Sequence, residues 1–373
     1  MIITPLDYGK LMYLLERPLF KTAILPCLLL LLSCSSDDSK LKLQDAERKA
    51  TVTLLVSPNG LGDNGYNDDA AAGVFGFAQQ TGTRMRLLLP DDEADARDMY
   101  RQWLTDNEHT DSAVLILGSS AYEQMARNAS ASDKDRLKSL QEHGGRVLLF
   151  ESNARIDGIS TVMVSHYGVS WLAGAMSKGF DALILAAATG VPALEESITG
   201  FRDARAMYHD GNCKTTLHYL SDSEEGFAMP DSAYRYIASR ADESLSFDEM
   251  IFPLLGGSES GLMRYLNDDI FTMALMVGMD VDQTGQSTRI PFSVVIRIGN
   301  VIRQYLDEWH NGHEWPRHQR LGISDGAADI VITPDFSSHL NIWDERYADP
   351  DTFLKLYMQY RDEAIKKESE YEN

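Results

Sequence analysis

The chain of 373 residues is 44% hydrophobic and 24% charged, a balance that supplies a sizeable core and points to about two domains or lobes. Its 34 Lys and Arg stand against 56 Asp and Glu, a formal net charge of −22. A surface that acidic repels phosphate backbones and anionic headgroups, so no nucleic-acid partner is expected; it favours solubility and attracts cations.

At the N-terminus, Arg17 and Lys21 precede an apolar run from Thr22 to Leu32 that ends in Ser33-Cys34. Charge, a short apolar stretch and a small residue before a cut are the parts of a secretory signal, here residues 1–33. The run of about a dozen residues is short of the roughly 20 that a bilayer-spanning helix needs. Leu31-Leu32-Ser33-Cys34 resembles a lipobox, which implies that Cys34 is acylated and anchors the mature chain to a membrane in the cell envelope. Ser35-Ser36-Asp37-Asp38 resembles the surface-export signal of Bacteroidetes lipoproteins, so the periplasmic face and the outer-membrane surface are both open. Residues 34–49 are polar, lack apolar periodicity and read as a flexible tether. Of three cysteines only Cys213 falls in the body, which excludes a disulfide framework there, and no Cys/His cluster suggests zinc.

From residue 50 onward, strand-like runs alternate with helical patterns. Strands are expected at 51–56, 113–117, 146–150, 250–254, 272–277 and 329–332, several continuously apolar, as strands covered on both faces must be. One helix is expected from Gly168 through Trp171, Leu172, Ala175 and Met176, with Trp171 in the core. Another is marked by Val294, Ile298, Ile302, Tyr305 and Trp309, which form one apolar stripe. Such alternation predicts parallel doubly wound sheets, and a body of roughly 320 residues exceeds one core, so two lobes are expected. Ligands of such sheets bind outside the carboxyl ends of the strands.

The first strand runs into Ser57-Pro-Asn-Gly-Leu-Gly-Asp-Asn-Gly-Tyr-Asn-Asp-Asp69. Asn67 or Asp69 can cap the following helix; alternatively, Tyr66 stacks on a planar ligand while Asp63 and Asn67 hydrogen-bond its edges. Gly60-Leu-Gly62 lacks the third glycine of a dinucleotide fingerprint. Asp280-Val-Asp282-Gln-Thr-Gly285 copies the start of a calcium loop, but Pro291 holds the place of the bidentate glutamate. Asp280 is then either a ligand contact or a loop cap. The turn Gly256-Gly-Ser-Glu-Ser-Gly261 fails the spacing of a serine nucleophile elbow; its N–H groups suit a carboxylate, a hydroxyl or a tight turn. His310, His313 and His318 crowd the exit of a helix, where the macrodipole favours them structurally. Without a triad, a phosphate cradle or a metal set, neither enzyme activity nor a cofactor or metal is expected.

Several segments resemble, in order, those of the basic membrane protein family, the purine nucleoside receptor-like binding lipoproteins of ABC transporters. They are Gly62-Asp-Asn-Gly-Tyr-Asn67, Val169-Ser-Trp-Leu-Ala-Gly-Ala175, Ile198-Thr-Gly-Phe-Arg-Asp-Ala204 and Leu255-Gly-Gly-Ser-Glu-Ser-Gly261. Met279-Asp-Val-Asp-Gln283, a Pro291-Phe-Ser-Val-Val-Ile296 segment expected to open the hinge-side helix, and Leu321-Gly-Ile-Ser-Asp-Gly326 follow. The resemblance implies an α/β type I periplasmic-binding fold, two doubly wound parallel-sheet lobes joined by a hinge and closing over a small-molecule solute. It implies ligand contacts from Tyr66, with Asn67 and Asp63 beside it, and from Gly257 and Asp280 of the other lobe; Gly118, after the 113–117 strand, joins them as a strand-end position. The lobes would comprise 50–160 plus about 287–335, and 161–286 plus about 336–373. A membrane transporter permease would be the partner; the alternative is a surface recognition or sensing lipoprotein with a diverged cleft. Two positions depart from the pattern: Ile296 replaces a lysine that helps hold a nucleoside sugar, and Glu151 replaces an aspartate at a strand end.

Overall fold

The first apolar run of the body becomes β1, Val52–Leu55, with every residue buried. The computed structural model describes residues 52–62, 65–208, 213–243, 249–268, 274–332 and 350–372. The signal, Cys34, the tether and Asp63 lie outside the described residues.

β1 sits inside a six-stranded sheet with β2 (Met85–Leu88), β3 (Val114–Leu117), β4 (Arg146–Phe150), β5 (Ser160–Val164) and β11 (His318–Leu321). Their order is β11-β5-β4-β3-β1-β2, and every pairing is parallel. The crossovers run through α1 (Tyr66–Thr81), α2 (Glu93–Asn107), α3 (Tyr122–Arg127) and α4 (Ala131–Glu142). Local chemistry sets where they start. The Asp92 side chain accepts the Ala94 and Asp95 N–H groups at the head of α2, and Ser130 and Asp133 form a reciprocal capping box on α4.

A second sheet contains β6 (Asp181–Ala188), β7 (Thr215–Ser221), β8 (Glu249–Leu254) and β9 (Leu275–Met276), in the order β7-β6-β8-β9, again all parallel. Its helices are α5 (Tyr167–Met176), α6 (Pro192–Met207), α7 (Pro230–Glu243) and α8 (Glu259–Asp268). A short antiparallel ribbon of β10 (Phe292–Ile296) and β12 (Ala328–Ile332) is stitched to the β9 side by a bridge between Gly278 and Ser293. The chain thus leaves the first sheet after β5, builds the second, and returns through α9 (Ile298–His310), which packs on α1, to place β11 beside β5. α10 (Pro350–Glu372) lies against α5. Two parallel α/β lobes linked by repeated crossings are the type I periplasmic-binding fold.

Two expectations need correction. The apolar stripe beginning at Val294 predicts one long helix, yet Val294 and the whole 292–296 segment form β10, and the helix starts at Ile298. Val294 and Val295 are β-branched and pair with Ile330 and Asp329 of β12, so pairing across the ribbon overrides the local 3.6-residue spacing. The strand at 329–332 is accordingly antiparallel rather than part of a parallel sheet.

α5 is buried along its whole length, with Trp171 only 1% exposed. Its tight seat against α6 depends on two glycines. A Cβ on Gly174 would stand 2.4 Å from the Phe201 carbonyl oxygen, and one on Gly200 would stand 2.3 Å from that of Tyr167. Arg205, on α6, reaches into the second lobe and donates to the carbonyls of Ser177, Phe180 and Lys214 and to the Thr215 hydroxyl. Removing a buried donor leaves its acceptors desolvated and unsatisfied. Arg205→Ala is therefore expected to cost about 3 kcal/mol. The check is a urea midpoint that drops while the denaturant slope stays the same.

Candidate functional site

The carboxyl ends of the strands of both lobes carry the polar residues that sequence singled out, and the fold sorts them into two groups. On the first sheet, Tyr66 opens α1 and is half-buried against the main apolar core, while Asn67 is 4% exposed. Gly118 follows β3, is buried, and donates its N–H to the Leu55 carbonyl at 2.9 Å, so the β1 and β3 ends are adjacent. Asp68 accepts the Gly62 N–H at 2.8 Å and holds the loop against its helix. Asp69 caps a different helix from the one it sits on: its carboxylate accepts the Gly299 N–H at the start of α9, at 2.8 Å.

On the second sheet, Gly257 is exposed in the turn after β8 and Asp280 is half-buried beyond β9. Ser258, fully buried beside Gly257, donates to the Gly226 carbonyl at 2.6 Å and accepts the Met229 N–H at 2.5 Å. Ser260 donates to the Gly257 carbonyl at 2.9 Å, so the turn is locked from within. The Asp282 carboxylate accepts from the Thr284 N–H and hydroxyl, an Asx-type loop cap rather than a calcium ligand set. His318 meets the Thr161 hydroxyl at 2.9 Å and His313 meets Glu308 at 2.5 Å, so these two serve local structure. Among the described residues no group of three or more His, Cys, Asp or Glu is placed to hold a metal ion.

What joins the two groups is a cluster that the motif search passed over. Glu151 follows β4 with φ of 53°, and its side chain is 8% exposed. A glutamate rarely adopts that left-handed backbone, and such strain persists only where surrounding contacts impose it. Its Oε2 meets His166 Nε2 at 3.2 Å, at the head of α5 on the other lobe. Asp280 also has φ of 65°, so two of the three non-glycine residues with left-handed backbone among those described are strand ends of this cluster. Burial alone would lower the His166 pKa. The carboxylates of Glu151, Glu196 and Asp280 overcome that and push it up to about 9. Glu259, at the head of α8 and 7% exposed, is pushed up to about 8 by burial and then by the neighbouring Asp280, against a hydrogen bond from Gln283.

Behind the cluster, one Glu196 oxygen accepts from the backbone N–H groups of His166 and Tyr167, at 2.9 and 3.0 Å, and from Arg320 of β11. Arg320 also donates to Glu372 at 2.5 Å, so the last turn of α10 is tied to the segment where the chain crosses between lobes. Glu151 was legible in sequence only as a departure from a pattern. His166, Glu196 and Arg320 carried no signal: β5 and β11, which position His166 and Arg320, were not predicted as strands, and Glu196 lies on α6. A cavity of about 280 Å³ lies elsewhere, between α2, α3 and α4, lined by Glu93, Arg97, Tyr100, Tyr122 and Asp133.

Solved structures similar to this chain include solute-binding proteins of ABC transporters. An ABC transporter solute-binding protein from Aeropyrum pernix K1 aligns with a TM-score of 0.58 and 15% identity, covering 86% of this chain and 89% of that one. A periplasmic solute-binding protein from Actinobacillus succinogenes 130z, solved with bound D-allose, aligns at 0.55 and 12%, covering 77% and 98%. A transcriptional activator of the comK gene from Bacillus halodurans aligns at 0.55 and 14%, covering 80% and 97%. Likeness at this identity establishes the fold and leaves the ligand open. No family model and no curated protein sequence matches the chain.

Proposed function

We propose that this chain is a lipid-anchored solute-binding protein of the cell envelope, held by Cys34, which captures a small polar or planar molecule between its lobes without altering it. The observation that carries the reading is the contact of Glu151, at a first-sheet strand end, with His166 on the second lobe, beside Asp280. Polar groups converging there from two separately built sheets suit a hinge that closes on a solute and presents the closed form to a transporter permease. In this reading the lobes are those expected from sequence, 50–160 with about 287–335 and 161–286 with about 336–373, save that β5 carries the first lobe on to Val164; Tyr66, Asn67, Gly118, Gly257, Asp280 and Asp63 line the cleft.

The ordered resemblance to the basic membrane protein family supports that placement of the lobes more than it supports a nucleoside ligand. Ile296, where that family has a sugar-holding lysine, is 2% exposed in β10 and offers no charge to a ligand. Similarity to sugar-binding neighbours keeps a polyhydroxyl ligand open. Native mass spectrometry of the purified chain tests the reading: a stoichiometric small molecule should co-purify, and Tyr66→Ala should weaken its retention at least tenfold. A ring at position 66 that can be truncated without effect on a bound solute would remove Tyr66 from the site.

A further inference from the structure

Among the described residues the inter-lobe cluster is rich in acid. Glu151, Glu196 and Asp280 face His166, Glu196 shares Arg320 with Glu372, and Glu259 faces Asp280 and Gln283. Two carboxyl oxygens are left over. Oε1 of Glu151 and Oε1 of Glu259 are both buried and accept no hydrogen bond from any described residue. Each side chain is more than nine-tenths buried, one on each lobe, and both lie in the electrostatic neighbourhood of Asp280, Glu151 through His166. A buried carboxylate oxygen without a donor costs free energy on the order of 1–3 kcal/mol, and natural folds retain such groups where something else satisfies them.

We infer that the solute is a cation, a small molecule whose ammonium or guanidinium group is held between Glu151 and Glu259 as the lobes close. This rests on the solute-binding reading and names the chemical class that the reading leaves open. An ammonium brings several N–H donors and a full positive charge, which satisfies both oxygens and suits their acidic surroundings together. The surroundings agree: a net charge of −22 draws cations toward the molecule before any contact is made. The same geometry disfavours anionic solutes, whose charge would meet four carboxyl groups.

Glu259 faces Asp280 and Gln283, while His166 faces Glu151, Glu196 and Asp280. Holding a cation requires Glu259 to ionise, so cation affinity should rise as pH climbs toward about 8, with a proton released on binding. The experiment uses matched amine and hydroxyl probes on the purified chain: putrescine with 1,4-butanediol, and cyclohexylamine with cyclohexanol. Calorimetry at pH 6 and pH 8.5, beside native mass spectrometry of whatever co-purifies, reads the result.

An amine that binds at least tenfold tighter than its hydroxyl partner, and at least tenfold tighter at pH 8.5 than at pH 6, is expected. Glu151→Gln and Glu259→Gln should each weaken it tenfold or more, while circular dichroism shows both variants folded. A co-purifying solute that carries an amine supports the assignment. A neutral or anionic solute held stoichiometrically overturns the charge assignment and leaves solute capture standing. A chain that binds no probe and carries no solute overturns both.

Discussion

Gly174→Val is expected to lower the melting temperature by roughly 6–12 °C, or about 3 kcal/mol. The reason is the distance between backbones. α5 and α6 approach so closely that a single Cβ at this position would sit 2.4 Å from a carbonyl oxygen and 3.1 Å from the Ala204 methyl. Neither neighbour is the free end of a flexible side chain, so the helices themselves must separate. Separation would unseat α5, whose ten residues are all buried, and loosen the edge-on contact of Trp171 with Tyr208. Gly200→Val, on the facing helix, should cost a similar amount. The double variant should cost less than the sum, since one separation accommodates both side chains. Gly285→Ala is the control: its added methyl meets nothing within 4 Å, and its midpoint should stay within about 0.5 kcal/mol of the parent. Equal midpoints for Gly174→Val and the control would show that the helices are not in close register.

The second large effect is a loss of stability with rising pH. Folded Glu259 keeps a proton up to about 8, whereas the unfolded chain sheds it near 4.5. Folded His166 keeps its proton up to about 9, whereas the unfolded side chain sheds it near 6.5. In both cases the folded state binds more protons, so stability falls as pH rises. For Glu259 the loss begins above 4.5 and is complete beyond about 8. For His166 the stabilisation is whole below 6.5 and is spent by passage through about 9. The windows overlap most between pH 6.5 and 8, where the decline should be steepest. The unliganded chain should melt roughly 5–10 °C lower at pH 9.5 than at pH 6, on the order of 3 kcal/mol. Glu259→Gln keeps the shape but cannot ionise, so its profile should be flatter and its midpoint at pH 9.5 higher than the parent's. A variant with the parent's slope would remove Glu259 from the linkage.

The architecture was largely legible because buried parallel strands announce themselves as apolar runs: β1, β3, β4 and β8 all fall within a residue or two of their expected positions. β7 was not, since residues such as Thr216, His218 and Ser221 make it look like polar chain, and its burial is only partial. β11, His-Gln-Arg-Leu, is similarly polar and owes its place to pairing with β5 rather than to its own preference. The family-like segments divide the same way. Those around Gly174 and Gly200 describe how two helices touch, which a short backbone motif can encode. The site is different in kind. Glu151, His166, Glu196 and Arg320 come from four elements spread over 170 residues of chain, and only the assembled sheets bring them together. Local spacing holds no trace of such a meeting.

The position of α10 bears on when this molecule can finish folding. Glu368 is 4% exposed, sits against the backbone of Gly168 and Gly322, and accepts the Ile323 N–H at 3.1 Å. Tyr371 stacks on Tyr167 with ring centres 4.1 Å apart, and Arg361 clasps Asp329. The first sheet likewise waits for β11, some 150 residues after its penultimate member. The long-range pairings that complete both halves therefore wait for segments that lie far along the chain from the elements they close on.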